Sequence, residues 1–248
     1  MFENRDTYQE FTEHNYKTLI KLAKENFKFR FFSSSPLKLT EILLRHDVDF
    51  SPQRARSLAR IEYDIQVGAT YLFRIRGADY SILDIEVQKI LLEIAALGHD
   101  IGLHFESEDL DISEEEILIK LSNDKNLFEL ITGMQPKVFS FHNPTQLMLT
   151  MQNTEYLGMI NTYAQIHFNP SYYVSDSNGY WRFRSLQEVL IDPNIEKLQV
   201  LIHPDWWTPE PLSPRERIWR AHNGRANNAH SRYKALLESL GRIDSGKI

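Results

Sequence analysis

From residue 41 onward, short apolar runs alternate with stretches of helical periodicity. The runs are EILLRHDVD, ATYLFRIR, HDIGLHFE, KVFSFHNP, GMINTYAQI, GYWRFRS and KLQVLIHP. Between the early ones the pattern predicts helices near 52–66, 82–97 and 113–132. Ser51-Pro52 supplies a cap and a proline start for the first of these. Ser113 with Glu116 forms a capping box for the third, where Glu114 and Glu115 also suit the positive end of the helix dipole. Upstream, Tyr8, Phe11, Tyr16, Leu19, Ile20 and Ala23 fall at helical spacing, so residues 6–26 read as an amphipathic helix. Downstream, the proline-rich 208–215 reads as a loop. Ser213-Pro214-Arg215-Glu216 then starts a helix over 214–240, with Ile218, Ala229, Tyr233, Leu236 and Leu240 on one side.

Strands alternating with helices imply a parallel sheet with helical crossovers. About seven strands favour an α/β fold of the distorted, incomplete parallel (β/α)-barrel kind over an open sheet. Neither G-x-G-x-x-G after the first strand nor G-x-x-x-x-G-K-[ST] occurs, which disfavours a nucleotide-binding doubly wound fold. With no composition break, residues 1–248 are expected to form one domain, with the two terminal helices packed on the barrel.

Composition narrows the chemistry. The chain carries a net charge of -6, so it lacks a nucleic-acid footprint. It contains no cysteine, which excludes disulfides, thiolate zinc sites and a cysteine nucleophile. The N-terminus mixes charges throughout, unlike a secretory signal, and no run reaches the roughly 20 apolar residues of a membrane span. The expected location is the cytoplasm.

Side chains alternate faces along a strand, so in LLRHDVD Asp47 and Asp49 point one way and His46 and Val48 the other. Two carboxylates on one face at a strand end repel, and a cation between them removes the conflict. The competing reading pairs them with Arg45 or Arg74, or uses them as caps. His104, His142 and His203 each end an apolar run. A single histidine so placed is more often core than ligand, but three on separate strands point to metal binding or acid–base work. Glu106 and Glu108 could add a carboxylate, or could be solvated charge. Trp181, Trp206 and Trp207 suit the apolar faces of sugars, or rim packing.

Over residues 40–207 these motifs resemble the polysaccharide deacetylase, or NodB-like, family of carbohydrate esterases. RHDVD resembles its first motif, which implies Asp47 as catalytic base and Asp49 as metal ligand. LGHDIGLH resembles the second, with His104 as ligand. SFHNP, including Asn143, falls where the family has a groove-lining arginine–proline segment. DSNGYWR, from Asp176 through Trp181 to Arg182, falls at the wall of the acetyl side. LIHP resembles the last motif and implies His203 as catalytic acid, with Trp206 just beyond. Two departures stand out: the second metal histidine would fall at Glu108, and the arginine of the third motif is replaced around Phe141-His142. His142 is therefore the expected third ligand, with Glu106 or Glu108 as substitutes. The resemblance implies one divalent metal, zinc by type. It implies hydrolysis of an N-acetyl, or secondarily O-acetyl, group on an N-acetyl sugar, oligosaccharide or nucleotide sugar. The alternative is an inactive barrel that binds a glycan or nucleotide sugar.

Overall fold

The computed structural model describes residues 7–34, 36–107, 111–167, 169 and 172–246. Helix α1 (Glu13–Asn26) precedes the short strand β1 (Lys28–Arg30) and the long strand β2 (Glu41–Val48). Then follow α2 (Pro52–Ile65), β3 (Thr70–Phe73), α3 (Ile85–Ala96), β4 (Asp100–Phe105), α4 (Glu114–Thr132) and β5 (Val138–Phe141). The second half holds α5 (Gln146–Thr150), β6 (Glu155–Tyr156), β7 (Met159–Asn161), β8 (Tyr173–Ser175), α6 (Leu186–Leu190), β9 (Lys197–Ile202) and α7 (Pro214–Ser239).

The strands form one nine-stranded sheet in the order β6-β7-β5-β4-β3-β2-β9-β8, with β1 on β2. Every pairing is parallel except the β6–β7 hairpin. This is the expected α/β incomplete barrel: β8 and β6 end the order without pairing to each other among the described residues. The central strand β2 is buried along its whole length. Its opening residues pair with β1 and its closing residues with β3 on one edge, while β9 covers the other. Helices α1 to α4 close the outside, burying Tyr16, Leu19, Ile20, Leu58, Leu91, Ile94, Leu121 and Phe128 against the sheet.

The caps act as read. Ser51 accepts from the Arg54 amide at the start of α2, and full capping boxes open α4 at Ser113 and α7 at Ser213. Three elements differ from expectation. GYWRFRS is not a strand: its residues form a turn and loop, and the strand lies a few residues earlier at β8. Helix α1 starts at Glu13, after a single 3-10 turn over Thr7–Glu10. Helix α7 joins the core only at its first turns, through the buried Arg217 and the partly buried Ile218, while farther along Arg225 donates to the Ala78 carbonyl and Arg232 meets Asp84; Tyr233, Leu236 and Leu240 stay exposed. No helix among the described residues is long and apolar enough to cross a membrane.

Candidate metal centre and its flanking acid and base

The sheet brings the three histidine-ending strands and the end of β2 together at their C-terminal edges, where an α/β barrel places its site. Strand β4 pairs with β5 so that His104 lies opposite Ser140, and His142 follows one residue beyond Phe141. Asp49 leaves the end of β2 with its carboxylate between the two imidazoles. Its Oδ1 is 3.1 Å from His104 Nε2 and 3.3 Å from His142 Nδ1, and the two ring nitrogens are 3.1 Å apart.

The donor chemistry fits a cation. Asp49 Oδ1 is buried and makes no hydrogen bond of acceptable geometry. The Ser140 hydroxyl donates to Asp47 Oδ1 at 3.3 Å, so its oxygen is left to accept from His104 Nδ1–H at 2.6 Å. That fixes the proton on Nδ1 and turns the Nε2 lone pair toward Asp49 and His142, the arrangement that orients metal-bound histidines. On the far side of His142, Nε2 meets the Asn143 amide at 3.0 Å and Glu106 Oε1 at 3.6 Å, leaving Nδ1 facing inward. One ligand atom from each of Asp49, His104 and His142 lies within 4.8 Å of the others. Two imidazoles and one carboxylate match a divalent site of the catalytic type, with a position left open.

Glu106 is not a fourth member. Its Oε2 is held by Arg74 at 2.8 Å, and Arg74 also donates to the Asp49 carbonyl at 3.1 Å. Glu108 lies outside the described residues.

Asp47 shares the strand face of Asp49, as the alternation requires, and so does Arg45. The Arg45 guanidinium grips both Asp47 oxygens, Nε to Oδ1 at 2.8 Å and Nη2 to Oδ2 at 2.6 Å, and reaches Thr162 Oγ1 at 2.9 Å. The pairing considered for an isolated carboxylate is therefore present beside the site. Burial pushes the Asp47 pKa up, but Arg45 and then His104 outweigh it and hold it at about 2. For Asp49, burial is likewise outweighed by its contacts with His104 and His142, which keep it well below the usual range.

His203 approaches from the other side, its Nε2 4.0 Å from Asp49 Oδ2. Its Nδ1 is 2.7 Å from Asp176 Oδ1, which also accepts from the His203 amide at 2.9 Å. Burial opposes the charged ring, but the hydrogen bond and charge of Asp176, then Asp49 and Asp47, raise its pKa to about 9. Asp47 and His203 thus hold opposite proton states at neutral pH, one ionised and able to accept, the other protonated and able to donate.

The residues expected to touch substrate need correction. Asp176 is fully buried, and its Oδ2 accepts from Trp207 Nε1 at 2.8 Å; it orients His203 and is closed to ligand. Trp206 is buried against Phe50, because the turn after His203 folds it inward. Trp181 packs on Phe11 and Trp207, 5.3 and 6.1 Å between ring centroids, so it is rim packing. Arg182 and Asn143 are exposed; Arg182 lies in the loop that replaced the expected strand, and Asn143 touches His142.

Two participants, Ser140 and Asp205, escaped the sequence reading, whereas Arg45 was already named there as a competing partner of the carboxylates. Ser140 is visible only through the β4–β5 register. Asp205 is buried, and its Oδ2 accepts from the backbone amides of Asp49 and Phe50 at 3.3 Å each. Burial, reinforced by the charge of Asp49, pushes its pKa up to about 7.

No protein-family model matches the chain, and no curated protein matches it. Several solved structures are similar. Peptidoglycan deacetylase PdaC from Bacillus subtilis is 14% identical, over 83% of this chain and 97% of that one, with a TM-score of 0.46. A family 4 acetyl xylan esterase from Clostridium thermocellum, in complex with a cobalt ion, is 18% identical over 74% and 84%, at 0.40. A family 4 pseudoenzyme from Bacillus anthracis is 14% identical over 74% and 60%, at 0.45.

Proposed function

We propose that the protein is a metal-dependent carbohydrate deacetylase that removes an N-acetyl, and secondarily an O-acetyl, group from a sugar or glycan precursor. The observation that carries this reading is the grouping of Asp49, His104 and His142 between an ionised Asp47 and a protonated His203. When bound at those three residues, a divalent ion, zinc by its donor set, supplies Lewis acidity that lowers the pKa of water and polarises an acetyl carbonyl. Asp47 stays ionised because Arg45 holds it, so it can take a proton from attacking water without first losing one of its own. His203 Nε2 carries the proton that the departing amine needs. Amines leave poorly unprotonated, so an acid on that side is a chemical requirement of amide cleavage. Asp176 keeps the imidazolium in place and aimed at the site.

One observation favours the alternative of an inactive barrel that binds a glycan. A carboxylate held at about 2 and gripped on both oxygens is a weak base, because general bases work best with a pKa near the operating pH.

The deciding experiment measures acetate released from N-acetyl sugars, their oligomers and their nucleotide conjugates by metal-loaded protein. Asp47→Asn and His203→Ala are expected to keep the metal and to lose about 10²–10⁴ in rate. The His203 variant should be milder on acetate esters, whose alkoxide leaves more easily than an amine anion. Loaded wild type that releases no acetate from any of them leaves the binder reading in its place.

A further inference from the structure

Beside the candidate site lies a cleft of about 420 Å³ that the deacetylase reading does not use. Its volume is within the usual range of ligand pockets, about 300–1,000 Å³. It is bounded by the first turns of α2, the segment after β3, the turn after β9 and the outer part of α7. The first three of these follow C-terminal strand ends, so the cleft opens on the same edge of the sheet as Asp49. Asp205 joins the two, lining the cleft while holding the amides of Asp49 and Phe50.

The chain is acidic overall, with a net charge of -6, yet Arg54, Arg56, Arg217, Arg220, Arg225 and Arg232 all line this one cleft. Four carboxylates, those of Asp79, Asp84, Glu86 and Asp205, also line it. Arg232 pairs with Asp84 at 3.3 Å, Arg56 with Glu93 at 3.7 Å, and Arg225 donates to the Ala78 carbonyl at 2.9 Å, but Arg54, Arg217 and Arg220 are left incompletely paired. Arg217 is 3% exposed, and its Nη1 is buried without a hydrogen-bond partner. The Nε of Arg54 is likewise buried and unpartnered, although the other end of that guanidinium meets Glu13. Arg220 is exposed and makes no ion pair among the described residues. Leaving buried donors unmade is costly, and a polyvalent acceptor in the cleft would offset that cost. The first turn of α2 adds its positive end and carries no acidic residue. Burial, and after it the charge of Glu13 against that of Arg220, act on Arg54, so two like charges face one space.

We propose that this cleft takes the phosphate or diphosphate of a glycosyl phosphate whose acetylated sugar reaches the Asp49–His104–His142 site. The sugar end of this proposal rests on the deacetylase reading. Planar guanidinium forks match phosphate oxygens two at a time, and several of them converging suit a dianion better than a single carboxylate. A neutral glycan polymer has no group that would use them.

The test titrates inorganic pyrophosphate onto the full chain by calorimetry, with metal present and after its removal. Binding is expected in both states and weakened tenfold or more by Arg220→Glu. Arg242→Glu, the same charge change at the exposed far end of the chain, is the control and should bind as wild type. Because Arg220 is exposed, the fold is expected to survive; circular dichroism checks it. Binding that vanishes with the metal, or that falls equally in both variants, overturns the proposal. Competition then separates the sources of the phosphate. Uridine diphosphate N-acetylglucosamine or polyprenyl diphosphate N-acetylglucosamine in micelles should displace pyrophosphate, while free N-acetylglucosamine should not. If neither conjugate competes, the glycosyl phosphate assignment fails. Acetate release from neutral N-acetylglucosamine oligomers without any pyrophosphate binding overturns the cleft and leaves the deacetylase standing. Competition by a conjugate that yields no acetate upholds the cleft and overturns the deacetylase reading alone.

Discussion

His203 and Asp205 stand two positions apart and are displaced in their proton affinity by different neighbours. For His203 the neighbour is Asp176, at 2.7 Å from Nδ1. As the proposed acid, His203 must be protonated, so activity should fall as pH rises through its raised value of about 9. Asp176→Asn removes the largest raising influence, and the fall in kcat/KM should come roughly one pH unit or more lower. A cation on Asp49 would cancel only the Asp49 share of the shift and leave the Asp176 share. A variant whose alkaline limb stays in place would dismiss His203 as the acid. Asp205 is the opposite case, a carboxyl whose pKa is raised to about 7 by burial and the Asp49 charge. The cost of ionising it in the folded state is absent below the ordinary 3.8, grows above it and is complete above about 7. By linkage it amounts to something on the order of 4 kcal/mol. Asp205→Asn keeps an oxygen for the Asp49 and Phe50 amides without the charge. Urea denaturation of the metal-free protein should show the variant more stable than wild type at pH 8 and no more stable at pH 4. Destabilisation at pH 8 that is absent at pH 4 would show that the carboxylate is needed as a charge, and equal destabilisation at both would show that its pKa is not raised. Sequence reading identified His203 from its place at a strand end but passed over Asp205, because an aspartate after a proline looks like ordinary loop polarity until its burial is known.

At the scale of the element, strand alternation placed Arg45, Asp47 and Asp49 on one face and His46 on the other. His46 indeed leaves the site, stacking on Tyr71 and meeting Glu62 at 2.6 Å in a buried group that also takes Tyr16. What alternation could not supply is which strand neighbours which, and the third ligand depends on that. His142 reaches Asp49 because β5 runs beside β4, and the two are held close at Gly102. A Cβ there would stand 2.3 Å from the Val138 carbonyl oxygen and 2.5 Å from Leu72 Cδ2. Gly102→Ala should therefore spread β4 from β5 at a cost of about 1–3 kcal/mol. Because His104 lies two residues along, the variant should also bind metal more weakly, as read by zinc titration. An unchanged affinity with only the stability loss would mean that the ligands tolerate a shifted strand. The elements misread from sequence have separate causes. In GYWRFRS the aromatic alternation looks like a strand, but Trp181 is drawn into the Phe11–Trp207 cluster, and the backbone turns to let it in. In α7 the apolar spacing is genuine, yet beyond Ile218 no element of the described chain lies against Tyr233, Leu236 and Leu240.

Across the whole molecule, the sheet order explains why site residues scattered from Asp47 to His203 meet. Chain order alone suggests a barrel, but the placement of β9 against β2 brings His203 beside Asp49. That convergence makes a thermodynamic demand. Asp49 Oδ1 lies among imidazole nitrogens without a hydrogen bond of its own, so the folded chain holds a preformed candidate cation site that the unfolded chain lacks. An ion that binds only the folded state stabilises it by RT ln(1 + [L]/Kd), about 2.7 kcal/mol at a hundredfold excess over Kd. Wild type should therefore show a rise in its unfolding free energy that grows with the logarithm of zinc concentration and is reversed by chelation. His142→Ala should retain the fold, because His142 is at the rim, and should lose most of that rise. Arg45→Ala should behave differently. It leaves Asp47 buried and uncompensated, a loss of about 3–5 kcal/mol for a broken buried pair, while the zinc-dependent increment survives. If zinc stabilises wild type and His142→Ala equally, the ion is held elsewhere, and the triad is only a cluster of ion pairs.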